Sequence, residues 1–205
     1  MNITTESIKG SKRKLLNKIL KLTNEVQDAE TFYDGFSGSG IVSAYMRSNG
    51  FEVFANDKMP SASLFARVFL NGFDEDIVKD EIARLNKLSG TQGWLYKNYS
   101  GMYLRDVRGQ TKPQWRPRAF KDFNAMKLDS IFEDIHSMPS SNEKDALLFS
   151  AVIAMNKVFN GTNDQKSSLK EWSKASTRAV CLEMPTNISG VTGTVENCDI
   201  FESKN

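Results

Sequence analysis

The chain has 205 residues, 40% apolar and 25% charged, which is ordinary for a soluble globular domain, or one domain with an insert, able to bury roughly 70% of its unfolded surface. Its net charge of +2 implies no partner, so any basic surface has to be local. Two cysteines and one histidine argue against zinc, and no other metal is expected; the N-terminus MNITTESIKGSKRKLL has no apolar signal core, and no run of 18 apolar residues is present to span a membrane.

Residues 12–22, KRKLLNKILKL, place five apolar residues at near-helical spacing between lysines and predict an amphipathic helix. ETFYDGF (30–36) predicts a short buried strand ending at Asp34, and GIVSAYMRSNG (40–50) a helix with a glycine stop. FEVFAND (51–57) alternates and ends in Asn-Asp, as a second strand would. Strand, glycine loop, helix and strand make a βαβ unit with parallel pairing and a right-handed crossover. A helical stretch follows over 60–88. A further helix over 120–138 is expected to build its apolar face on Phe123, Met126, Leu128, Ile131, Phe132 and Ile135, with His136 at its end. The helix over 140–161 has Asn142 as its expected cap and Gly161 as its stop. Residues 160–180 are polar and lysine-rich, and 191–202 predict a third short strand ending at Asp199. Cys181 and Cys198 read as buried thiols in a reducing, cytosolic setting.

The chemistry centres on YDGFSGSG at 33–40. Bare backbone at a strand-to-helix turn lets main-chain groups approach a ligand closely, and the carboxyl end of a strand is the usual crevice. Taken alone, the loop also fits a tight turn with a glycine at a helix N-terminus. Its spacing, Gly35-x-x-Gly38-x-Gly40, is not the dinucleotide G-x-G-x-x-G, and no G-K-[ST] is present for a P-loop. An acid before the glycines (Asp34) suits a ligand amino group. A second acid at the tip of the next strand (Asp57) suits ribose hydroxyls. That pairing is the layout of S-adenosylmethionine sites.

DGFSGSG followed by GFEVFAND resembles motifs I and II of the Dam-like DNA adenine N6-methyltransferases, and KGSKRKLL resembles their N-terminal G-x-K-x-x-L. YKNYS, FKDFNAMKLDSI, EKDALLFSAVIAMNKVFN and VENCDIFE resemble later segments in order and spacing, so the likeness covers nearly the whole chain. It implies a Rossmann-like S-adenosylmethionine-dependent α/β fold with a partial sheet, carrying a helical insert. It implies Lys12 for the methionine carboxylate, and Asp34, Gly35, Phe36, Ser37, Gly38 and Gly40 for the methionine end. Asp57 would meet the ribose and Asp199 the cofactor adenine, with Asn56 and Ile200 beside them also binding the cofactor. The resemblance also implies double-stranded DNA as substrate and a cytoplasmic bacterial or phage setting.

The family's catalytic signature, Asp/Asn-Pro-Pro-Tyr/Phe, is not in the sequence. The prolines are Pro60, Pro113, Pro117, Pro139 and Pro185, and no two are adjacent. In the family's mechanism that acid and a proline carbonyl accept hydrogen bonds from the adenine amine, whose lone pair is otherwise delocalised into the ring, and the aromatic stacks on the extruded base. No catalytic residue is therefore assigned within this chain. The expectation is one half of a split enzyme completed by a second polypeptide, or a truncated chain; a degenerate homologue with a binding role is the alternative.

Residues 94–118, WLYKNYSGMYLRDVRGQTKPQWRPR, hold six lysines and arginines against one acid, with three tyrosines and two tryptophans. Basic residues neutralise phosphates and aromatics stack on bases. Lys97, Tyr99, Arg105, Arg108, Lys112, Arg116 and Arg118 are the expected DNA contacts; an irregular surface loop with anchored aromatics is the plain alternative. The expected organisation is a cofactor-binding part over 1–93, a helical and basic insert over 94–180, and a return to the sheet over 181–205.

Overall fold

The computed structural model describes residues 3–5, 10–100, 119–161 and 171–203. They fall into two compact units. One comprises residues 1–79, 140–149 and 184–205; the other comprises 80–139 and 150–183. Of the four divisions, those after residues 79 and 149 lie inside helices, and those after 139 and 183 lie between elements.

The first unit carries a parallel sheet in the order β1-β2-β3, formed by β1 (Thr31–Asp34), β2 (Glu52–Asn56) and β3 (Thr194–Glu196). Phe32 pairs with Val53, Asp34 with Ala55, and Ala55 with Val195. β2 is central. Its Val53 and Ala55 are buried against Met46, Phe51, Ala66 and Leu70, with Ile19, Phe32, Val42 and Val195 packed around them. The chain passes from β1 to β2 through α2 (Ile41–Ser48) and leaves β2 into α3 (Pro60–Asn71). α3 starts with proline at its first position, where the missing N–H costs nothing. Phe65 and Phe69 of α3 meet Phe149 edge-on, with ring centroids 5.1 and 5.4 Å apart.

Four sequence expectations are corrected here. The first helix begins as a 3-10 turn over Arg13–Leu15 and becomes α1 only at Leu16–Thr23, because no side chain caps its N-terminus. The helical stretch over 60–88 is two helices. Gly72, at φ +70°, ends α3, and Asp74 then opens α4 (Glu75–Leu85) by accepting the N–H groups of Asp76 and Ile77. The third strand stops at Glu196. Asp199 lies beyond it and accepts the N–H of Phe201 at the start of a 3-10 turn, an Asx contact that competes with strand pairing. Ser141, not Asn142, caps the helix over 142–158, its hydroxyl accepting the N–H of Lys144.

The second unit is built on α5 (Trp94–Tyr99), α6 (Asp122–Ser137) and parts of α4 and of α7 (Asn142–Val158). α6 ends before Pro139, as the restriction on the preceding residue requires. Its core face holds Ala125, Leu128, Ile131 and Ile135, together with the polar Asn124 and Asp129; Phe123, expected in that face, is half exposed. The irregular segment after residue 171 is held by side-chain amides, Asn124 buried and Asn86 half-buried. Asn124 accepts the N–H of Val180 and donates to the carbonyls of Ser176 and Arg178. Asn86 pairs with both backbone groups of Leu182. Side-chain amides here replace the ladder that a strand would supply. Of the two cysteines, Cys198 is partly buried and Cys181 is exposed, contrary to the expectation of two buried thiols.

Candidate cofactor cleft

The carboxyl end of β1 opens into a cleft of about 520 Å³, within the range of small-molecule sites. Its lining includes Lys12, Asp34, Gly35, Phe36, Ser37 and Gly38, six of the sequence-selected residues, brought together from the segment before α1 and the loop after β1. Phe32, Ile19 and Val42 give it an apolar floor. Gly10, Ser11, Ser39 and Ile41 complete the lining and were not selected from sequence.

The loop is fixed from the end of β2. Ser37 N–H donates to the Asn56 carbonyl at 3.0 Å, and Gly38 N–H donates to Asp57 Oδ2 at 2.9 Å. The second oxygen of Asp57 accepts the N–H of Met59 at 2.9 Å. Asp57 thus clamps the glycine loop to the start of the next turn, and it does not line the cleft. Neither does Asn56, whose buried amide pairs with the backbone of Cys198. Gly40 also stands behind the lining. It adopts φ +70° at the N-cap of α2, and a Cβ there would come within 2.9 Å of Phe69.

Two groups of opposite charge face the ligand space. Lys12 Nζ is anchored on the Gly10 carbonyl at 3.1 Å. The Asp34 carboxylate accepts the Ser43 hydroxyl at 2.6 Å. Burial pushes the Asp34 carboxyl above the ordinary carboxylate value of 3.8, partly offset by the hydroxyl and backbone N–H of Ser43; the charge of Asp57 adds to the rise. The hydroxyl of Ser37, itself buried, has no hydrogen-bond partner among the described residues, a cost left in place unless a ligand meets it. An amino-acid zwitterion matches this donor and acceptor set.

Asp199 and Ile200 lie outside the lining. Asp199 forms an ion pair with Lys58 at 2.9 Å, and that ammonium holds its carboxyl below the ordinary range. The pair is exposed, so exchanging Lys58 for a ligand group would cost little. Ile200 packs on Gly35, where an added Cβ would meet its Cδ1 at 2.9 Å. Ser43 and Lys58 were missed in the sequence. Ser43 stands in the first turn of α2 and Lys58 directly follows Asp57, but only the fold aims them at these acids.

Of the expected DNA contacts, Lys97 and Tyr99 lie on α5, in the second unit. Arg105, Arg108, Lys112, Arg116 and Arg118 lie outside the described residues. Among the described residues no cluster of metal-ligating side chains is present, and no helix is long and apolar enough to cross a membrane.

No curated protein and no solved structure matches the chain. The family model described as D12 class N6 adenine-specific DNA methyltransferase matches residues 9–204, nearly the entire chain, and the chain belongs to that family.

Proposed function

We propose that the cleft at the end of β1 binds S-adenosylmethionine, and that the chain is the cofactor-binding part of a site-specific DNA adenine N6-methyltransferase with a Rossmann-like sheet. The observation that carries this reading is the convergence of Lys12, Asp34 and Ser37 on one cleft, walled by the glycine loop. Lys12 holds the methionine carboxylate and Asp34 its amino group. Asp57 positions the loop through Gly38 and Met59, and the ribose is assigned to it at the end of β2, beyond the cleft lining. Asp199 and Ile200 serve the cofactor adenine. The bound sulfonium supplies the methyl group for the exocyclic amine of an extruded adenine.

This chain's residues bind and orient; they do not include the tetrapeptide that activates the amine. No two prolines are adjacent anywhere in the sequence. The reading therefore places D-P-P-Y on a second polypeptide or a further segment, in a cytoplasmic bacterial or phage setting. β1 has one free edge among the described residues, and an unpaired edge invites a covering strand. A non-catalytic cofactor- or DNA-binding homologue is the second reading, favoured by the same missing tetrapeptide.

Methylation of adenine-containing duplexes by the chain alone and with the product of a neighbouring reading frame that carries D-P-P-Y separates the two. Transfer of labelled methyl to adenine by the pair is expected. A pair that binds cofactor and DNA yet never methylates adenine would leave only the binding role.

The Asp34 carboxyl gives a pH signature. Its protonated form is favoured by burial, whereas a ligand ammonium needs the anion. Affinity for S-adenosylmethionine should fall as pH drops toward and through the raised Asp34 value. Asp34→Asn should bind weakly at neutral pH and with little pH dependence over the same range. Calorimetry across the acidic range reads both; a wild-type profile retained by Asp34→Asn removes Asp34 from the ammonium contact.

A further inference from the structure

We propose that Lys58 is a displaceable counter-ion on Asp199, a latch that competes with the cofactor's exocyclic amine for the same carboxylate. The proposal rests on the assignment of Asp199 to the cofactor adenine and adds a residue that sets how tightly that end is held. Asp199 is aimed by its own turn. Its Oδ1 accepts the N–H of Phe201 at 3.3 Å, and its Oδ2 accepts Lys58 Nζ at 2.9 Å. Oδ2 is the oxygen left for a ligand amine, and the lysine stands on it.

The backbone on both sides of the pair is fixed. Asn197 Nδ2 donates to the Asp57 carbonyl at 2.7 Å, which also accepts the Ser63 hydroxyl at 3.1 Å. The Asn56 amide brackets Cys198, donating to its carbonyl and accepting its N–H, both at 3.3 Å. On the other side, the Asp57 carboxylate holds the N–H groups of Gly38 and Met59. Ile200, next to Asp199, packs on Gly35, which sets the pair beside the glycine loop. The acid therefore stays in place whether or not the lysine is on it.

The lysine side chain is free to leave. It is 77% exposed against 38% for Asp199, so its departure uncovers no packed surface, and its flexible stem returns the ammonium to water. An exposed ion pair is weak and screened by salt. It lowers affinity for the cofactor without blocking the site. The group able to replace it is a hydrogen-bond donor to a carboxylate, which a 6-aminopurine supplies through its exocyclic amine.

Calorimetric titration of S-adenosylhomocysteine, whose zwitterion carries no net charge, tests the latch at low salt and at about 1 M salt. Lys58→Met keeps an unbranched stem and loses the ammonium. It should bind roughly 2- to 5-fold more tightly than wild type at low salt, the range of an exposed ion pair. The two proteins should converge at high salt, and Lys58→Arg should bind as wild type does at both. Asp199→Asn keeps an acceptor for the amine but no charge for the lysine, so Lys58→Met should add nothing in that background. Equal affinities for wild type and Lys58→Met at low salt, or a gain that survives in Asp199→Asn, overturns the latch while the cofactor reading stands. A folded wild-type chain that binds no S-adenosylhomocysteine overturns both.

Discussion

Asp57→Ala is expected to weaken S-adenosylmethionine binding by roughly 10- to 150-fold, the equivalent of about 1.5–3 kcal/mol for hydrogen bonds to a charged group. One carboxylate holds two backbone donors, Gly38 N–H in the loop and Met59 N–H in the turn after β2. Removing it frees the loop and strands both donors, in addition to any contact with the ribose. The cleft walls from Gly35 to Gly38 would then have to be ordered by the ligand, at its own expense in affinity. Asp57→Asn keeps one acceptor oxygen and should fall between. Calorimetry at neutral pH reads all three proteins; unchanged affinity in Asp57→Ala removes both the clamp and the ribose assignment.

The second large effect is on stability. Gly40→Ala should cost about 2–4 kcal/mol, combining a left-handed backbone that a Cβ disfavours with overpacking against Phe69. Gly40 sits at φ +70°, and the added Cβ would meet Phe69 Cδ2 at 2.9 Å and the Ala66 nitrogen at 3.4 Å. Phe69 cannot swing aside, since it is fully buried against Phe149. At this chain length the loss corresponds to a melting temperature lower by roughly 4–16 °C. Gly50→Ala is the control. Gly50 has φ +94° with nothing within 4 Å of the added Cβ, so only the backbone contribution remains. Equal melting temperatures for the two variants would show that the contact with Phe69 does not constrain the loop.

The sheet and its loop were legible in the sequence because the signals are local. Alternation in FEVFAND gives β2, the glycines of YDGFSGSG give the turn, and Lys12 and Asp34 line one cleft. The acids were legible as residue types but not in their partners. Asp57 clamps Gly38 from 19 residues away, and Lys58 pairs with Asp199 across 141; no period or turn rule encodes such contacts. Boundaries moved where a side chain competed with the backbone, at Asp74, Ser141 and Asp199. Phe123 left the predicted core face because the buried positions of α6 include Asn124 and Asp129, polar residues that hold neighbouring backbone. A hydrophobic pattern cannot announce a core position occupied by a satisfied amide or carboxylate.

The cofactor assignment is tested most directly by titrating S-adenosylmethionine into the purified chain in a calorimeter. One saturable site per chain is predicted, displaced by S-adenosylhomocysteine and weakened in Asp57→Ala. A chain that remains folded and gives neither binding heat nor a rise in melting temperature at millimolar S-adenosylmethionine would contradict the account.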